Sequence, residues 1–380
     1  MSRSLLFKNV DVANGGVVNV NRDVLVVDGR IARNDQASSQ EDSNVLVVHG
    51  PGLLAPGFVD THVHGRDGLD VMCPGDLGPL SRGLLQQGVT GFLPTMISAS
   101  PADMMKALHG AHGDPAGAKI LGVHMEGPFL SPEQPGMFDP VNFSRFDMGL
   151  WTKLCTVSAV PIRLMTVAAE RLDPKDLGEL VGTGLILSLG HTDASYSTAS
   201  GVFGQGVTRV THAYNAMRGF HHRDPGAVGA LLDHGEIDAE IVLDGLHVEA
   251  PSARILLATR THGRIVLVSD CVPPGGRPPG AYEWAGRSLQ VDDESVRLES
   301  GQLAGSAGTM DAAMRRAMAW FGVSVAQAIQ MASTNARLSV GLAAQDICVG
   351  SPADLVLLDG ELNPSMTLID GVIRWRRDEP

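Results

Sequence analysis

The sequence predicts an α/β protein with a TIM-type (β/α)8 barrel inserted into a small β-sandwich module that both termini build. Eight short apolar segments alternate with helix-length segments between residues 54 and 270, as in parallel strands joined by crossover helices. Their near-continuous apolar character is typical of a parallel sheet buried on both faces. For both ends of the chain, the sequence instead predicts short strands and turns.

The terminal segments have similar β character. The first 54 residues contain the candidate strands Ser4–Val10, Asp23–Val27, Asp28–Ile31 and Val45–Val48, with a turn signal at Asn14-Gly15-Gly16. The tail contains Ala353–Gly360 and Thr367–Arg374. We therefore predict one sandwich module from residues 1–54 and 345–380, with the barrel in residues 55–344.

The barrel strands are predicted where apolar runs of strand length occur. They are Leu54–Asp60, Gly91–Thr95, Ile120–Glu126, Arg163–Val167, Leu185–Leu189, Arg209–His212, Ile241–Asp244 and Ile265–Asp270. Pro273–Gly280 follows the last strand and is rich in proline and glycine, which favours a rim loop.

Charge and cysteine content limit the function classes. Asp and Glu exceed Lys and Arg to give a net charge of −13, and no basic run is present, which argues against nucleic acid and membrane surfaces as partners. The four cysteines form no Cys-x-x-Cys pair, which favours a reducing compartment and argues against a thiolate zinc site. We expect a cytoplasmic protein, since neither a secretion signal nor a membrane-length apolar run is found.

Polar residues stand at the ends of six predicted strands. His62 and His64 are two residues apart on the first strand, so both imidazoles face one side, as a metal ion requires. Taken alone, each such residue is better explained as a surface histidine or a helix-capping aspartate. The carboxyl ends of barrel strands carry the active site, so the endings together predict a metal-dependent hydrolase. The other endings are Glu126, His191, His212, Asp244-Gly245-Leu246-His247 and Asp270.

Four longer motifs carry a resemblance to a known family. They are His124-Met125-Glu126-Gly127-Pro128-Phe129, Gly190-His191-Thr192, Thr211-His212-Ala213-Tyr214-Asn215-Ala216-Met217 and Leu303-Ala304-Gly305-Ser306-Ala307. The chain resembles the amidohydrolase superfamily from Pro56 to Thr309 and over the tail Gly350–Val356, and within it the N-acetylglucosamine-6-phosphate deacetylases. The resemblance implies hydrolysis of N-acetylglucosamine 6-phosphate to glucosamine 6-phosphate and acetate.

The resemblance also implies a set of metal ligands. Glu126, His191 and His212 would hold one divalent ion, and His62 and His64 a second, with Glu126 bridging. Relatives that bridge with a carboxylated lysine differ, since Pro161–Glu170 contains no lysine. Zinc, iron, manganese and cobalt all accept such ligands, so one or two ions of unspecified identity are expected. Two ions sharing a water would supply hydroxide near neutral pH.

Further roles follow from the same resemblance. Asp270 would take the proton of the attacking water and give it to the leaving amine. Arg223 would grip the sugar phosphate, unless it is a rim arginine paired with Asp224. The remaining substrate contacts implied are backbone N–H groups of Asn215 and Ala216, His247, and the closing segment Leu303, Ala304 and Gly305. In the family the matching histidine reaches the neighbouring subunit's site, which implies a homodimer.

One position departs from the family. A histidine that touches the acyl oxygen is usual after Glu126-Gly127-Pro128, and Phe138 stands in that place. Phenylalanine neither donates a hydrogen bond nor titrates. The acyl sugar is therefore open, and an amidohydrolase acting on another N-acyl sugar phosphate, another N-acyl sugar or an N-acyl amino acid remains an alternative. A scaffold that has lost its chemistry is the second alternative, although all five ligands and Asp270 are present.

Overall fold

The structure, a computed structural model, describes residues 4–36, 45–73 and 75–377. Its strands in chain order are β1 (Leu5–Asn14), β2 (Val17–Val27), β3 (Arg30–Gln36), β4 (Leu46–His49), β5 (Leu53–Pro56), β6 (Phe58–Val63), β7 (Gly65–Arg66), β8 (Leu69–Asp70), β9 (Val89–Ile97), β10 (Lys119–Ile120), β11 (Val123–Glu126), β12 (Ile162–Val167), β13 (Ile186–Leu189), β14 (Val207–Val210), β15 (Asp238–Val242), β16 (Ile265–Val268), β17 (Gly280–Trp284), β18 (Arg287–Val291), β19 (Ser295–Leu298), β20 (Leu303–Ser306), β21 (Leu355–Leu358), β22 (Pro364–Ile369) and β23 (Val372–Arg376).

The helices mostly alternate with the central strands. They are α1 (Gly78–Leu84), α2 (Pro101–His109), α3 (Met148–Val157), α4 (Pro174–Gly182), α5 (Tyr196–Phe203), α6 (Gly226–Asp233), α7 (Ala250–Ala258), α8 (Met310–Phe321), α9 (Val325–Ala332) and α10 (Thr334–Leu338), with 3₁₀ turns at Leu85–Gln87, Pro140–Asn142, Ala169–Arg171 and His262–Arg264. Side chains such as Ser100, Asp173 and Ser195 accept backbone N–H groups at helix starts. No helix in these described ranges is long and apolar enough to cross a bilayer.

Eight parallel strands form the central sheet in the order β6-β9-β11-β12-β13-β14-β15-β16, with β10 as a short addition beside β9. The chain just beyond β16 meets β6. Asp270 N donates to His62 O at 2.9 Å, and His64 N donates to Cys271 O at 2.8 Å. These bonds join the last strand to the first. The eight predicted strands of the barrel are therefore confirmed, although their ends differ by a few residues.

The predicted first barrel strand, Leu54–Asp60, is wrong at its start. The structure splits it at Gly57 into β5 and β6, and β5 pairs with β1 and β21 in a different sheet. A Cβ at Gly57 would lie 2.1 Å from the side chain of Thr90, so the chain crosses between the two sheets where only glycine fits. The apolar residues Leu53, Leu54 and Ala55 are buried in the sheet of β1 and β21. They would be equally suited to burial in the barrel sheet, so hydrophobicity alone does not predict which sheet they join.

Both termini join in one second sheet, in the order β23-β22-β21-β5-β1-β2-β3 with β4 beside β1. Phe7, Val24, Leu54, Leu355 and Leu368 belong to one buried apolar cluster of this sheet. The tail segment Thr367–Arg374 spans β22, a turn and β23. The sandwich and its boundaries stay predictions, and residues 1–3, 37–44 and 378–380 of that module lie outside the described ranges.

The predicted rim loop is followed by a sheet that the sequence analysis did not identify. Strands β17 to β20 form a four-stranded antiparallel sheet between β16 and α8. Its buried residues Trp284, Leu289 and Val296 pack with Phe138 and Met137 in one apolar cluster. This insertion therefore builds one wall beside the carboxyl ends of the barrel strands.

Candidate active site

Five donor side chains from four barrel strands meet at the carboxyl end of the barrel. His62 and His64 come from the end of β6, and Glu126 is the last residue of β11. His191 and His212 each lie two residues beyond a strand, β13 and β14 respectively. All five are at most 5% exposed. Two groups, His62-His64-Glu126 and Glu126-His191-His212, each have donor atoms within 4.8 Å of one another.

Glu126 lies between the two histidine pairs, and each oxygen faces one pair. Oε1 lies 3.1 Å from His191 Nε2 and 3.0 Å from His212 Nε2. Oε2 lies 3.1 Å from His64 Nε2 and 3.5 Å from His62 Nε2. Burial alone would raise the pKa of Glu126, but the neighbouring histidines hold it well below its usual range. Glu126 is thus an ionised carboxylate shared by the two pairs.

Asp270 faces the same space from the end of β16. Its Oδ1 lies 3.3 Å from His62 Nε2 and 3.4 Å from His64 Nε2. Burial would raise the pKa of this carboxyl, but His62 and His64 lower it below its ordinary value. Asp270 is therefore ionised at neutral pH and able to accept a proton.

Three of these residues have left-handed backbone. His191, His212 and Asp270 have φ of 46°, 27° and 49°. Each stands two residues past the last residue of its strand, where the chain turns over the end of the barrel. This conformation costs a non-glycine residue about 1–2 kcal/mol, and such strain is characteristic of functional sites.

A cavity of about 280 Å³ opens above the donors. Of the predicted substrate contacts, Asn215, Ala216, His247, Leu303, Ala304 and Gly305 all line it. Gly136 also lines it and passes close beneath His191, where a Cβ would lie 3.0 Å from the ring. Four apolar side chains, Met137, Phe138, Val272 and Trp284, also line the cavity. The cavity therefore has both polar and apolar lining.

Arg223 does not line this cavity. It is exposed, and its Nη1 lies 2.8 Å from His222 Nε2. The alternative pairing with Asp224 is not formed either, since Asp224 accepts from Arg218 at 2.5 Å. Asn215 N, expected to be available to a phosphate, already donates to His212 O at 2.9 Å. The turn that follows β14 uses this N–H to hold itself, so the phosphate roles of Arg223 and Asn215 stay predictions.

Comparison with known proteins identifies the family. A sequence model of the Amidohydrolase family matches residues 53–374. The chain belongs to the amidohydrolase family. It is 30% identical over 388 residues to N-acetylglucosamine-6-phosphate deacetylase of Bacillus subtilis (strain 168), covering 99% of this chain and 98% of the relative. It is 34% identical over 329 residues to N-acetylgalactosamine-6-phosphate deacetylase of Escherichia coli O157:H7, covering 84% and 87%.

Solved structures agree with this amidohydrolase assignment. The N-acetylglucosamine-6-phosphate deacetylase of Thermotoga maritima matches with a TM-score of 0.88 at 29% identity, covering 98% of this chain and 100% of that one. A mutant of the Mycobacterium smegmatis enzyme in complex with N-acetyl-D-glucosamine-6-phosphate matches with a TM-score of 0.90 at 26% identity, covering 98% and 99%.

Amidohydrolases bind divalent metals, and the donor set of this chain fits such an ion. Glu126 Oε2 is buried and has no hydrogen-bond partner among the residues that the structure describes. Two pairs of ring nitrogens face each other, His62 Nε2 with His64 Nε2 and His191 Nε2 with His212 Nε2, each at 3.2 Å. Lone pairs brought together in this way are accommodated by a cation between them.

The sequence analysis missed several residues of this amidohydrolase site. Trp284 and Gln302 line the cavity from the antiparallel sheet that was not predicted. Arg209 and Glu240 are fully buried beneath the donors. The last two carried a signal, because each is a charged residue next to apolar residues in a barrel strand, and full burial of a charge requires a partner.

Proposed function

We propose that this chain hydrolyses N-acetylglucosamine 6-phosphate to glucosamine 6-phosphate and acetate. The observation that carries the proposal is the shared carboxylate of Glu126, with His191 and His212 against one oxygen and His62 and His64 against the other. Asp270 facing the same space completes a set suited to amide hydrolysis. The deacetylases to which the chain is similar over nearly its whole length support the same substrate.

We propose that Glu126, His191 and His212 hold one divalent ion and that His62, His64 and Glu126 hold a second. When bound, such ions lower the pKa of an attacking water and withdraw electrons from an amide carbonyl. The ligand chemistry accepts zinc, iron, manganese or cobalt.

Asp270 performs the proton transfer in this proposal. Its ionised carboxylate takes a proton from the water as that water attacks the amide carbon. When the carbon–nitrogen bond breaks, the same group returns the proton to the nitrogen, because an amine leaves readily only in protonated form. One water is consumed, and the products are acetate and the amine, which takes up the proton that the new carboxylic acid loses.

The polar and apolar lining of the cavity have different tasks in this proposal. Ala216 and His247 would offer polar groups to a phosphorylated sugar, and Asn215 would join them if its N–H were released from His212 O. His247 is oriented by a 2.6 Å contact between its Nδ1 and Asp244 Oδ2. Phe138 and Trp284 flank the metal-donor rings, with Phe138 stacked 5.1 Å from His191 and Trp284 centred 5.6 Å from His64. These rings are placed to contact the apolar part of the acyl group.

The decisive experiment measures released acetate from N-acetylglucosamine 6-phosphate, its unphosphorylated analogue and N-acetylgalactosamine 6-phosphate, using protein reconstituted with each candidate metal. We expect the phosphorylated glucosamine compound to be the best substrate and chelation to abolish turnover. Metal-loaded protein that leaves every compound intact would rule the proposal out.

A second candidate is deacylation of a different N-acyl amino sugar phosphate. The 34% identity to N-acetylgalactosamine-6-phosphate deacetylase favours a different sugar. The apolar side chain of Phe138 in the cavity lining favours a different acyl group. The same substrate panel separates the two. The scaffold alternative is weakened by the intact donor set and by Asp270.

We also propose how the chain is organised. Residues 1–54 and 345–380 would form the sandwich module and residues 55–344 the barrel, with the chain working as a homodimer in the cytoplasm. The apolar cluster shared by β1, β2, β5, β21 and β22 supports the module. The charged phosphate of the proposed substrate supports the location, since phosphorylated sugars do not cross membranes unaided. Light scattering would test the dimer.

A further inference from the structure

The second ring nitrogens of the four donor histidines have different partners. His64 Nδ1 lies 2.9 Å from the backbone oxygen of Thr95, and His191 Nδ1 lies 2.9 Å from the backbone oxygen of Gln134. His212 Nδ1 has no hydrogen-bond partner within the described ranges. His62 differs from all three, because its Nδ1 lies 2.5 Å from Glu240 Oε1.

Glu240 is itself firmly held. It comes from β15 and is fully buried, and its Oε2 accepts a hydrogen bond from Arg209 Nη2. Arg209 is also fully buried and donates to Thr61 Oγ1 at 2.6 Å and to Ser339 Oγ at 2.5 Å. A buried charge pair survives only with such additional hydrogen bonds. The carboxylate is therefore fixed beneath the ring of His62, and Arg209 balances its charge.

This contact fixes the tautomer of His62. A carboxylate accepts hydrogen bonds, so the proton of the neutral ring resides on Nδ1 and the lone pair on Nε2. Nε2 is the atom that faces Glu126 and His64. A carboxylate on the far nitrogen also makes the ring a stronger donor than a backbone carbonyl does.

We propose that Glu240, held by Arg209, is a positioning residue that gives the His62/His64 side of the centre its affinity for a divalent cation. This inference rests on the proposed metal centre. Glu240 Oε1 also accepts from His212 N at 3.1 Å. That second contact is to backbone, so it leaves the tautomer of the His212 ring unaffected. Loss of Glu240 should therefore weaken one ion selectively.

The test uses variants that avoid an unpaired buried charge. Glu240→Ala alone would strand Arg209 and risk unfolding. The double variant Arg209→Met/Glu240→Leu removes the acceptor and both charges together. Arg209→Met/Glu240→Gln removes both charges but keeps an oxygen that can accept from His62 Nδ1. Asp60→Asn is the matched control, since Asp60 is a fully buried carboxylate that contacts His62 only through its backbone N–H, at 3.2 Å.

Manganese(II) is titrated into metal-free protein, with circular dichroism to verify folding and electron paramagnetic resonance to detect a coupled pair of ions. We expect wild type and Asp60→Asn to bind two coupled ions. Arg209→Met/Glu240→Leu should lose about 10–100-fold in affinity for one ion and lose the coupled signal, while the other ion changes at most a few-fold. The glutamine variant should recover most of that loss.

Two coupled ions with wild-type affinity in Arg209→Met/Glu240→Leu would overturn this inference and leave the proposed function intact. Equal weakening of both ions would also overturn it, because Glu240 would then support the fold and not one site. Fewer than two ions in wild type would overturn both this inference and the binuclear centre on which it rests.

Discussion

Asp270 combines burial, ionisation and a left-handed backbone at one residue. It is 7% exposed, and its φ is 49°. Its N–H donates to His62 O, so the backbone is tied to the first strand while the carboxylate reaches the donors. A carboxylate held this firmly is suited to proton transfer, because it must accept the proton and return it from the same position.

Asp270→Asn should abolish turnover while metal remains bound. The amide keeps the size of the side chain but does not accept the water's proton, and loss of one positioned acid/base lowers the rate on the order of 10²–10⁴-fold. Steady-state rates and metal content are measured on the same preparation. Wild-type turnover in the variant would remove Asp270 from the mechanism.

Phe138 stands where a polar contact to the acyl oxygen is usual in the family, and its ring stacks on His191. We expect a larger acyl group, such as propionyl, to be tolerated better by wild type than by Phe138→His, because histidine makes that wall more polar. kcat/KM is measured across N-acyl glucosamine 6-phosphates. An identical acyl preference in wild type and Phe138→His would contradict this role of Phe138.

Phe138→His should also restore part of the activity lost in His62→Ala or His64→Ala.

Arg223→Ala should raise KM for the 6-phosphate substrate by about one to two decades, the worth of a charge-assisted contact. KM for the unphosphorylated analogue should hardly change. Arg218→Ala is a useful comparison, since Arg218 is already paired with Asp224. Arg223 does not line the cavity of its own chain. If wild type and Arg223→Ala have equal KM values for the 6-phosphate substrate, other groups bind the phosphate.

At the residue scale, the meeting of these histidine and glutamate side chains could be predicted, because the carboxyl ends of barrel strands lie at one end of the barrel. Roles that depend on where a loop leads could not be predicted. Arg223 lies in a turn whose direction no local pattern specifies, and the structure leaves it outside the cavity. Glu240 was missed because its partner Arg209 is on another strand, and only the folded barrel brings the two together.

At the scale of elements, the end of β6 supplies both histidines of one of the two proposed metal sites. His62 and His64 face the same side of this strand, so changing both removes one pair of donors and leaves Glu126, His191 and His212. His62→Ala/His64→Ala should lower the metal content from about two ions per chain to about one. Atomic emission on dialysed protein measures this. Wild type that saturates at a single ion would disprove the second site.

The barrel strands were predictable because burial on both faces leaves near-continuous apolar runs. The antiparallel sheet β17 to β20 was not, because proline and glycine at its start indicated a loop. Its strands alternate exposed and buried residues, as in β18, and the signal from each is short. Tyr282-Glu283-Trp284 was the available sign, since aromatic residues two apart favour a strand with one buried face.

At the scale of the whole molecule, metal binding and stability are linked. Ions that bind only the folded barrel stabilise it by about 2.7 kcal/mol at 100 times the dissociation constant. Chelation should therefore lower Tm by several degrees. Differential scanning calorimetry with and without chelator measures the change. Glu126→Gln/His191→Ala/His212→Ala is the control and should show a much smaller metal-dependent shift. If chelator leaves the wild-type Tm unchanged, metal binding does not contribute to the stability of the folded protein.

The closure of the barrel joins residues that are far apart in the sequence. His62 and Glu240 are separated by 178 residues, and the hydrogen bonds that join the first strand to the last involve Asp270 and Cys271. During synthesis, His62 therefore leaves the ribosome long before Glu240, the residue whose side chain contacts its ring. The early chain carries two histidines but no finished site. The proposed His62/His64 site is therefore complete only after β15 and the segment beyond β16 have been synthesised and packed against β6.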